Sequence, residues 1–388
     1  MKTIRDLELY GKKVIIRCDF NVPIENNKVV DDNRIVSCLS TINYVKNKGA
    51  KVILLSHLGR IKSEADKEKY TLAPVAKRLE QLLKRDVLFI PKTRGVEKEL
   101  ANLKNGQVAL LENTRFEDFP NKLESNNDEE LATYWASLGD IFVNDAFGTS
   151  HRKHASNVGI ANKLPAAAGF LLEKEIQQLQ KLENPQRPYT LILGGAKVSD
   201  KIYLIENLVK KADYVLVGGG IANTFIKAKG YNVGRSLIDE ESVEFCQKLL
   251  AKTDKIIIPV DVKVANKASE EASERTVKID QIGAQEESLD IGMATVRLYC
   301  QYIKKSKTII WNGTVGYAEI RKFARGTREI AMALKRANAL TIVAGGDTAA
   351  ILIQMGFKGE VTHISTGGGA AIEMLEGKEL PGISVLNK

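Results

Sequence analysis

Short runs of consecutive apolar residues alternate along this chain with longer segments whose apolar positions recur every three or four residues. Ten such runs are bounded by Gly, Asp or Asn and read as strands. In the first half they are KVIIR, KVILLS, QVALLE and DIFVN. In the second half they are YTLIL, DYVLV, KIIIPV, TIIW, LTIVA and VTHIS. Strands that are apolar on successive residues bury both faces, which predicts parallel sheets covered by helices on either side. The intervening segments supply those helices. DDNRIVSCLSTINYVKNKG places Ile35, Leu39, Ile42 and Val45 on one face, with Asp and Asn at its start and Gly49 as its stop.

Near the middle lies GFLLEKEIQQLQKLENPQRPY, in which Leu172, Ile176, Leu179 and Leu182 form a narrow apolar stripe. Pro185 and Pro188 end that helix, and the strand YTLIL follows at once. A chain of 388 residues exceeds one core of ordinary size. The pattern predicts a first domain over 1–168, a joining helix over 169–185 and a second domain over 186–370, both of them α/β.

Ligands of parallel sheets bind beyond the carboxyl ends of the strands, and there the two halves differ. The first half ends its strands in CDFN, HLGR, NTRF and DAFGTSHRKH. These put Asp19, Asn21, His57, Arg60, Arg115, His151, Arg152 and His154 along one sheet edge, and Arg34 opens the helix after the first loop. Such a group predicts a basic cup for a phosphorylated or carboxylated small molecule. The second half ends its strands in GGAKVSDK, GGGIANTF, GGDTAA and TGGGAA. Glycine turns running into helix starts expose backbone N–H groups to anions, which predicts a nucleotide or polyphosphate site. Lys197 and Lys201 are spaced to share the first turn of one helix. Asp347 is placed to cap a helix or to touch Mg²⁺.

Composition narrows the partners. Apolar residues make up 44% and charged residues 27%, as in soluble globular proteins. No run is long enough to span a bilayer and the first residues carry no signal-peptide core, so a cytoplasmic protein without membrane partners is expected. Cys18, Cys38, Cys246 and Cys300 are scattered without metal-ligand spacing. The excess of Lys and Arg, 57 against 48 acidic residues, is spread through the chain without a basic tail. It suits small anionic substrates and gives no reason to expect nucleic acid. GxxxxGK[ST], HRD and DFG are missing, which removes P-loop proteins and protein kinases, and the alternative, another nucleotide-dependent α/β enzyme such as an oxidoreductase, lacks the strand-following GxGxxG it would need.

RCDFNVP, SHLGR, ENTRFE, VNDAFGTSHRKHAS, LGGAKVSDKI, GGGIANTFIKAKG, IIWNGTVG, GGDTAA and HISTGGGAAIEMLEGKELPG, in that order, strongly resemble phosphoglycerate kinases. The resemblance implies reversible phosphoryl transfer between 1,3-bisphosphoglycerate and ADP, giving 3-phosphoglycerate and ATP with Mg²⁺. It also implies a monomer of two Rossmann-like domains that close about the joining helix, and a tail, 371–388, that packs back on the first domain. Carried over by position, it assigns the glycerate to Asp19, Phe20, Asn21, Leu58 and Gly59. The non-transferring phosphate falls to His57, Arg60, Arg115, His151 and Arg152, and the migrating phosphoryl to Arg34. Lys197, Lys201, Gly218, Gly219, Gly220, Asn312, Glu319, Ala344, Gly345, Gly346, Asp347 and Thr348 would bind nucleotide, with Asp347 at the metal. Gly367 and Gly368 would donate backbone N–H groups in the transition state. The chemistry agrees. A carboxylate acceptor is already ionised at neutral pH, so no general base is needed, only positioning and positive charge.

Overall fold

The computed structural model describes residues 1–388, which divide into two compact units, Met1–Gln177 with Glu379–Lys388, and Gln178–Lys378. All ten apolar runs are strands. The first unit holds a six-stranded parallel sheet ordered Val87–Ile90, Val108–Leu111, Lys51–Leu55, Lys13–Cys18, Ile141–Asp145, Ala166–Ala168. The chain steps from Lys13–Cys18 to one side of that strand and later returns to its other side, so the carboxyl ends flanking it form a switch point. Helix Asn33–Asn47 buries Ile35, Cys38, Ile42 and Val45 against the sheet, and Gly49 at φ +76° turns the chain back.

Asp145, the last residue of its strand, fixes the start of helix Phe170–Gln180. Its Oδ1 accepts from the backbone N–H groups of Leu171 at 2.9 Å and Leu172 at 3.3 Å. Leu172, Ile176, Leu179 and Leu182 are buried as their spacing requires. The carboxyl-terminal residues belong to the first unit. Gly382 donates to the Ser150 carbonyl at 2.8 Å, and its own carbonyl accepts from Asn144 Nδ2 at 2.9 Å.

The second unit holds a parallel sheet ordered Ile256–Ile257, Tyr214–Val217, Tyr189–Leu193, Thr308–Asn312, Leu340–Val343, His363–Ile364. In chain order this is 3-2-1-4-5-6, which puts the switch point between Tyr189–Leu193 and Thr308–Asn312. A three-stranded antiparallel sheet, Glu274–Lys278, Asp261–Ala265, Glu287–Ile291, is added to this parallel framework. Its strand Glu274–Lys278 exposes all but Val277, so it carries no apolar run to announce it.

Candidate active site

Loops at the carboxyl edge of the first sheet gather the cationic residues. Asp19 and Asn21 follow the central strand. Asn21 Oδ1 accepts from the Gly59 N–H at 2.9 Å, and Ser56 Oγ accepts from the Phe20 N–H at 2.8 Å. Asn113 ties the neighbouring loop, accepting from Leu58 N–H at 3.1 Å and donating to the Leu58 carbonyl at 2.7 Å. Gly59 sits at φ +61°, and a Cβ there would lie 2.4 Å from the Tyr70 ring. Only glycine fits that turn. Arg115 donates to the Gly59 carbonyl at 2.7 Å, while its buried Nε has no hydrogen-bond partner. Arg34 donates to the Asp19 carboxylate. Arg152 donates to His151 Nε2 at 3.1 Å, and Arg60 is exposed.

Two of the histidines are not the cations that the sequence suggests. Burial, then Arg17 and Arg115, hold His57 well below its ordinary pKa. Burial and the same arginines push His154 down to about 3. Both are neutral at pH 7, so neither adds positive charge to the cup, to which the guanidinium groups contribute theirs.

The floor of the cup is a residue that the motif reading passed over. Arg17 is the last basic letter of KVIIR and looks like a strand end, yet it is 1% exposed. Its Nε donates to Ser156 Oγ at 2.8 Å, and its Nη2 lies 3.3 Å from His57 Nδ1. Glu124, fully buried, lies 4.0 Å from Arg17 Nη2 and accepts from the Ser156 N–H at 2.9 Å. Burial raises the Glu124 pKa, against the pull of Arg17 and Ser156. The one available signal was an Arg inside an otherwise apolar strand.

In the second unit, glycine turns line an open cavity of about 510 Å³ at the switch point, bordered by Lys197, Lys201, Gly219, Gly220, Asn312 and Asp347 among others. Two of its turns press backbone on backbone. A Cβ at Gly194 would lie 2.0 Å from the Thr314 carbonyl oxygen, and one at Gly313 would lie 2.1 Å from the Gly194 carbonyl oxygen. Gly218 precedes the helix Gly219–Ala228, and a Cβ on Gly220 would meet the Ala196 carbonyl at 2.3 Å. Gly345, at φ +111°, precedes the helix Gly346–Gln354, whose Thr348 Oγ1 accepts from the Gly313 N–H at 2.8 Å. Asn312 Nδ2 donates to the Ala344 carbonyl at 2.8 Å, leaving its buried Oδ1 unpaired. A Cβ on Gly368 would lie 2.7 Å from the Gly346 nitrogen, so helices Gly346–Gln354 and Gly368–Leu375 begin side by side. Gly367 donates to Ser365 Oγ at 3.2 Å.

The two lysines do not share a helical turn. The α-helix starts at Ile202, behind a 3₁₀ turn over Ser199–Lys201, so Lys197 lies in the loop. Lys201 itself, at φ −131° and ψ 11°, is not helical, so no helical turn runs through both lysines. Both lysines nonetheless border the cavity, Lys197 exposed and Lys201 half-buried with its Nζ 2.7 Å from the Gly194 carbonyl. Burial lowers Lys201 to about 8, against Asp200 and Asp347. Leu237, Ala268, Leu289 and Tyr317 wall the cavity on its apolar side. Their scatter over loops and the antiparallel sheet hides them from motif reading.

No group of three His, Cys, Asp or Glu side chains is arranged to hold a metal ion. Mg²⁺ held largely by phosphates and water needs only one or two protein carboxylates. Asp347, exposed in the first turn of its helix, and Glu319, exposed across the cavity, fit that requirement.

A family model described as phosphoglycerate kinase matches residues 4–378. The phosphoglycerate kinase of Enterococcus faecalis is 53% identical over 392 residues, covering 100% of this chain and 99% of that protein. That of Staphylococcus carnosus is 54% identical over 391 residues, with the same coverage. Among solved structures, phosphoglycerate kinase from Coxiella burnetii matches with a TM-score of 0.88 at 42% identity, covering 99% of this chain and 98% of that one. The Pyrococcus horikoshii enzyme matches at 0.88 and 34% identity, covering 100% and 98%.

Proposed function

The chain belongs to the phosphoglycerate kinase family, and from that premise we propose which residues carry each part of its reaction. The reaction is reversible phosphoryl transfer from 1,3-bisphosphoglycerate to ADP, giving 3-phosphoglycerate and ATP in glycolysis, with Mg²⁺ required. In our reading the first unit, with its tail, binds the glycerate and the second binds nucleotide.

Arg115, Arg152, Arg60 and His151 hold the non-transferring phosphate, with neutral His57 as a hydrogen-bonding group. The observation that carries this reading is the unpaired, buried Nε of Arg115 in a pocket of guanidinium groups. A buried donor of that kind needs an acceptor, which water supplies in the free protein and a phosphate oxygen supplies in the complex. Asp19 and Asn21 orient the glycerate, and Phe20, Leu58 and Gly59 shape the loops around it. Arg34 neutralises the phosphoryl group in flight.

In the second unit, Lys197 and Lys201 bind the nucleotide phosphates. The helix start within Ala344–Thr348 presents backbone N–H groups to them, Gly218–Gly220 brings bare backbone to the cavity wall while the Gly218 and Gly219 N–H groups bond the Leu193 and Val315 carbonyls, and Gly367 and Gly368 begin a helix beside that site. Asn312 and Glu319 complete the cavity. Mg²⁺, when bound at Asp347, supplies positive charge to the nucleotide phosphates. No residue is asked to move a proton, because the acceptor carboxylate has none to lose.

In our reading the working form is a monomer. We place it in the cytoplasm with its small-molecule substrates. No helix is long and apolar enough to cross a membrane. The test is ATP formation from 1,3-bisphosphoglycerate and ADP by the purified chain, with Arg115→Ala beside it. Turnover that Arg115→Ala leaves intact would refute the phosphate assignment.

A further inference from the structure

Behind the apolar wall of the nucleotide cavity lies a buried carboxyl that the reaction does not use. Asp290, 3% exposed, sits near the end of the strand Glu287–Ile291. Its Oδ1 accepts from its neighbour Ile291 N–H at 2.9 Å, and its Oδ2 from the Gly326 N–H at 2.8 Å. It fills the room that side chains would take near the start of one loop and in the first turn of the helix Arg325–Arg336 that follows it. A Cβ on Gly316 would lie 2.2 Å from Oδ1, and one on Gly326 would lie 2.3 Å from it. The residue before it fastens the same loop, since the Leu289 carbonyl accepts from Tyr317 N–H at 2.7 Å. On its open side that loop presents Gly316, Tyr317 and Glu319 to the cavity.

We propose that Asp290 is a positioning residue for nucleotide binding, a clamp that ties the Gly313–Ala324 loop to the first turn of the helix Arg325–Arg336 and so holds one wall of the cavity. The proposal rests on the reading of that cavity as the nucleotide site. A cationic partner for Asp290 is not needed. Lys263 faces it but is engaged with Glu274 at 2.8 Å and the Lys322 carbonyl at 2.9 Å. Burial pushes the Asp290 carboxyl up to about 8, and Glu274 pushes the same way. At neutral pH it is therefore largely uncharged and can sit among Ile291, Phe323 and the loop backbone without a buried charge. An apolar residue there would leave the Ile291 and Gly326 N–H groups unpaired in the interior.

Asp290→Asn keeps the shape but can accept only one of the two bonds, because its amide NH₂ faces the other donor. Asp290→Ala loses both. Calorimetry with ADP and with 3-phosphoglycerate on the full chain should rank ADP affinity as wild type, then Asn, then Ala, with a loss of about tenfold in Ala. Affinity for 3-phosphoglycerate should stay within twofold. Hydrogen exchange should quicken over 313–327 in the variants and not in the first unit. Should Asp290→Ala fail to fold, the Asn variant carries the same test at a smaller loss. Unchanged ADP affinity in a folded variant, or equal losses for both ligands, would overturn the proposal. Lys197→Ala is the control for the cavity. If it weakens ADP while the Asp290 variants do not, the clamp alone is wrong. If Lys197→Ala has no effect either, the cavity reading fails and the clamp with it.

Discussion

Arg34 donates a hydrogen bond directly to the carboxylate of Asp19, so the two residues assigned to opposite roles share one ion pair. Arg34 is a third exposed while Asp19 is buried, so the pair positions the guanidinium from below. Arg34→Ala should cost about 3 kcal/mol of barrier, read as a fall in kcat of about 10²-fold. Asp19→Asn should mainly raise KM for the glycerate substrate. Because the residues touch, the double variant should fall short of the summed single losses by at least about 0.5 kcal/mol. Strict additivity in the steady-state rates would mean that the ion pair does nothing for Arg34.

Lys201 titrates within the working range of an assay. It is protonated below about 8 and neutral above. Free-enzyme behaviour is reported by kcat/KM. With ADP varied, kcat/KM should therefore decline on the alkaline side with a midpoint near 8. Bound phosphate favours the cation, so the decline in kcat should lie higher. Lys201→Arg, always charged, should erase the limb in kcat/KM. Persistence of that limb in the Arg variant would assign it to another group.

The buried histidine and aspartate groups give stability a definite pH dependence. His154 is depressed to about 3, so the unfolded chain binds its proton from about 6.5 downward while the folded chain does not. Its contribution is present above 6.5 and lost as pH falls toward 3, with a slope approaching about 1.4 kcal/mol per pH unit. Asp145 works in the opposite sense. Burial raises it to about 7, so the folded chain holds a proton that the unfolded chain releases above about 4. Urea unfolding of His154→Asn across pH 4–7 should show a shallower acid loss than wild type. Asp145→Asn should show less loss between pH 4 and 7. Parallel curves for wild type and both variants would refute these shifts.

Much of the fold was legible because its strands are buried on both faces. YTLIL and TIIW read as strands without help, and the glycines after them marked the ligand edge. What stayed hidden lacked that contrast. Glu274–Lys278 is exposed on all but one position, Ala166–Ala168 has no β-branched residue, and Leu237 reaches the cavity from a loop. Arg17 and Glu124 escaped for a different reason. Charged letters in a sequence read as surface, and only the three-dimensional pairing of Arg17 with Ser156, His57 and Glu124 reveals them as buried.

Close backbone packing should make the first glycine turn intolerant. Gly194→Ala puts a Cβ 2.0 Å from the Thr314 carbonyl oxygen, with no flexible side chain to yield. The strand ends at the switch point must then part. Affinity for ADP should drop by at least about tenfold, corresponding to about 1.4 kcal/mol, and thermal stability should fall. A variant with unaltered ADP binding would show that the turn does not shape the site.

Whether the two ligands are held by different units of one chain is tested most directly by a crossed calorimetric experiment on the full-length protein. Arg115→Ala and Lys197→Ala are each titrated with 3-phosphoglycerate and with ADP. Arg115→Ala should lose 3-phosphoglycerate affinity by at least about tenfold, near 1.4 kcal/mol, and keep ADP affinity. Lys197→Ala should do the reverse. Loss of both ligands in either variant, or loss of the wrong one, would contradict the division of the site proposed here.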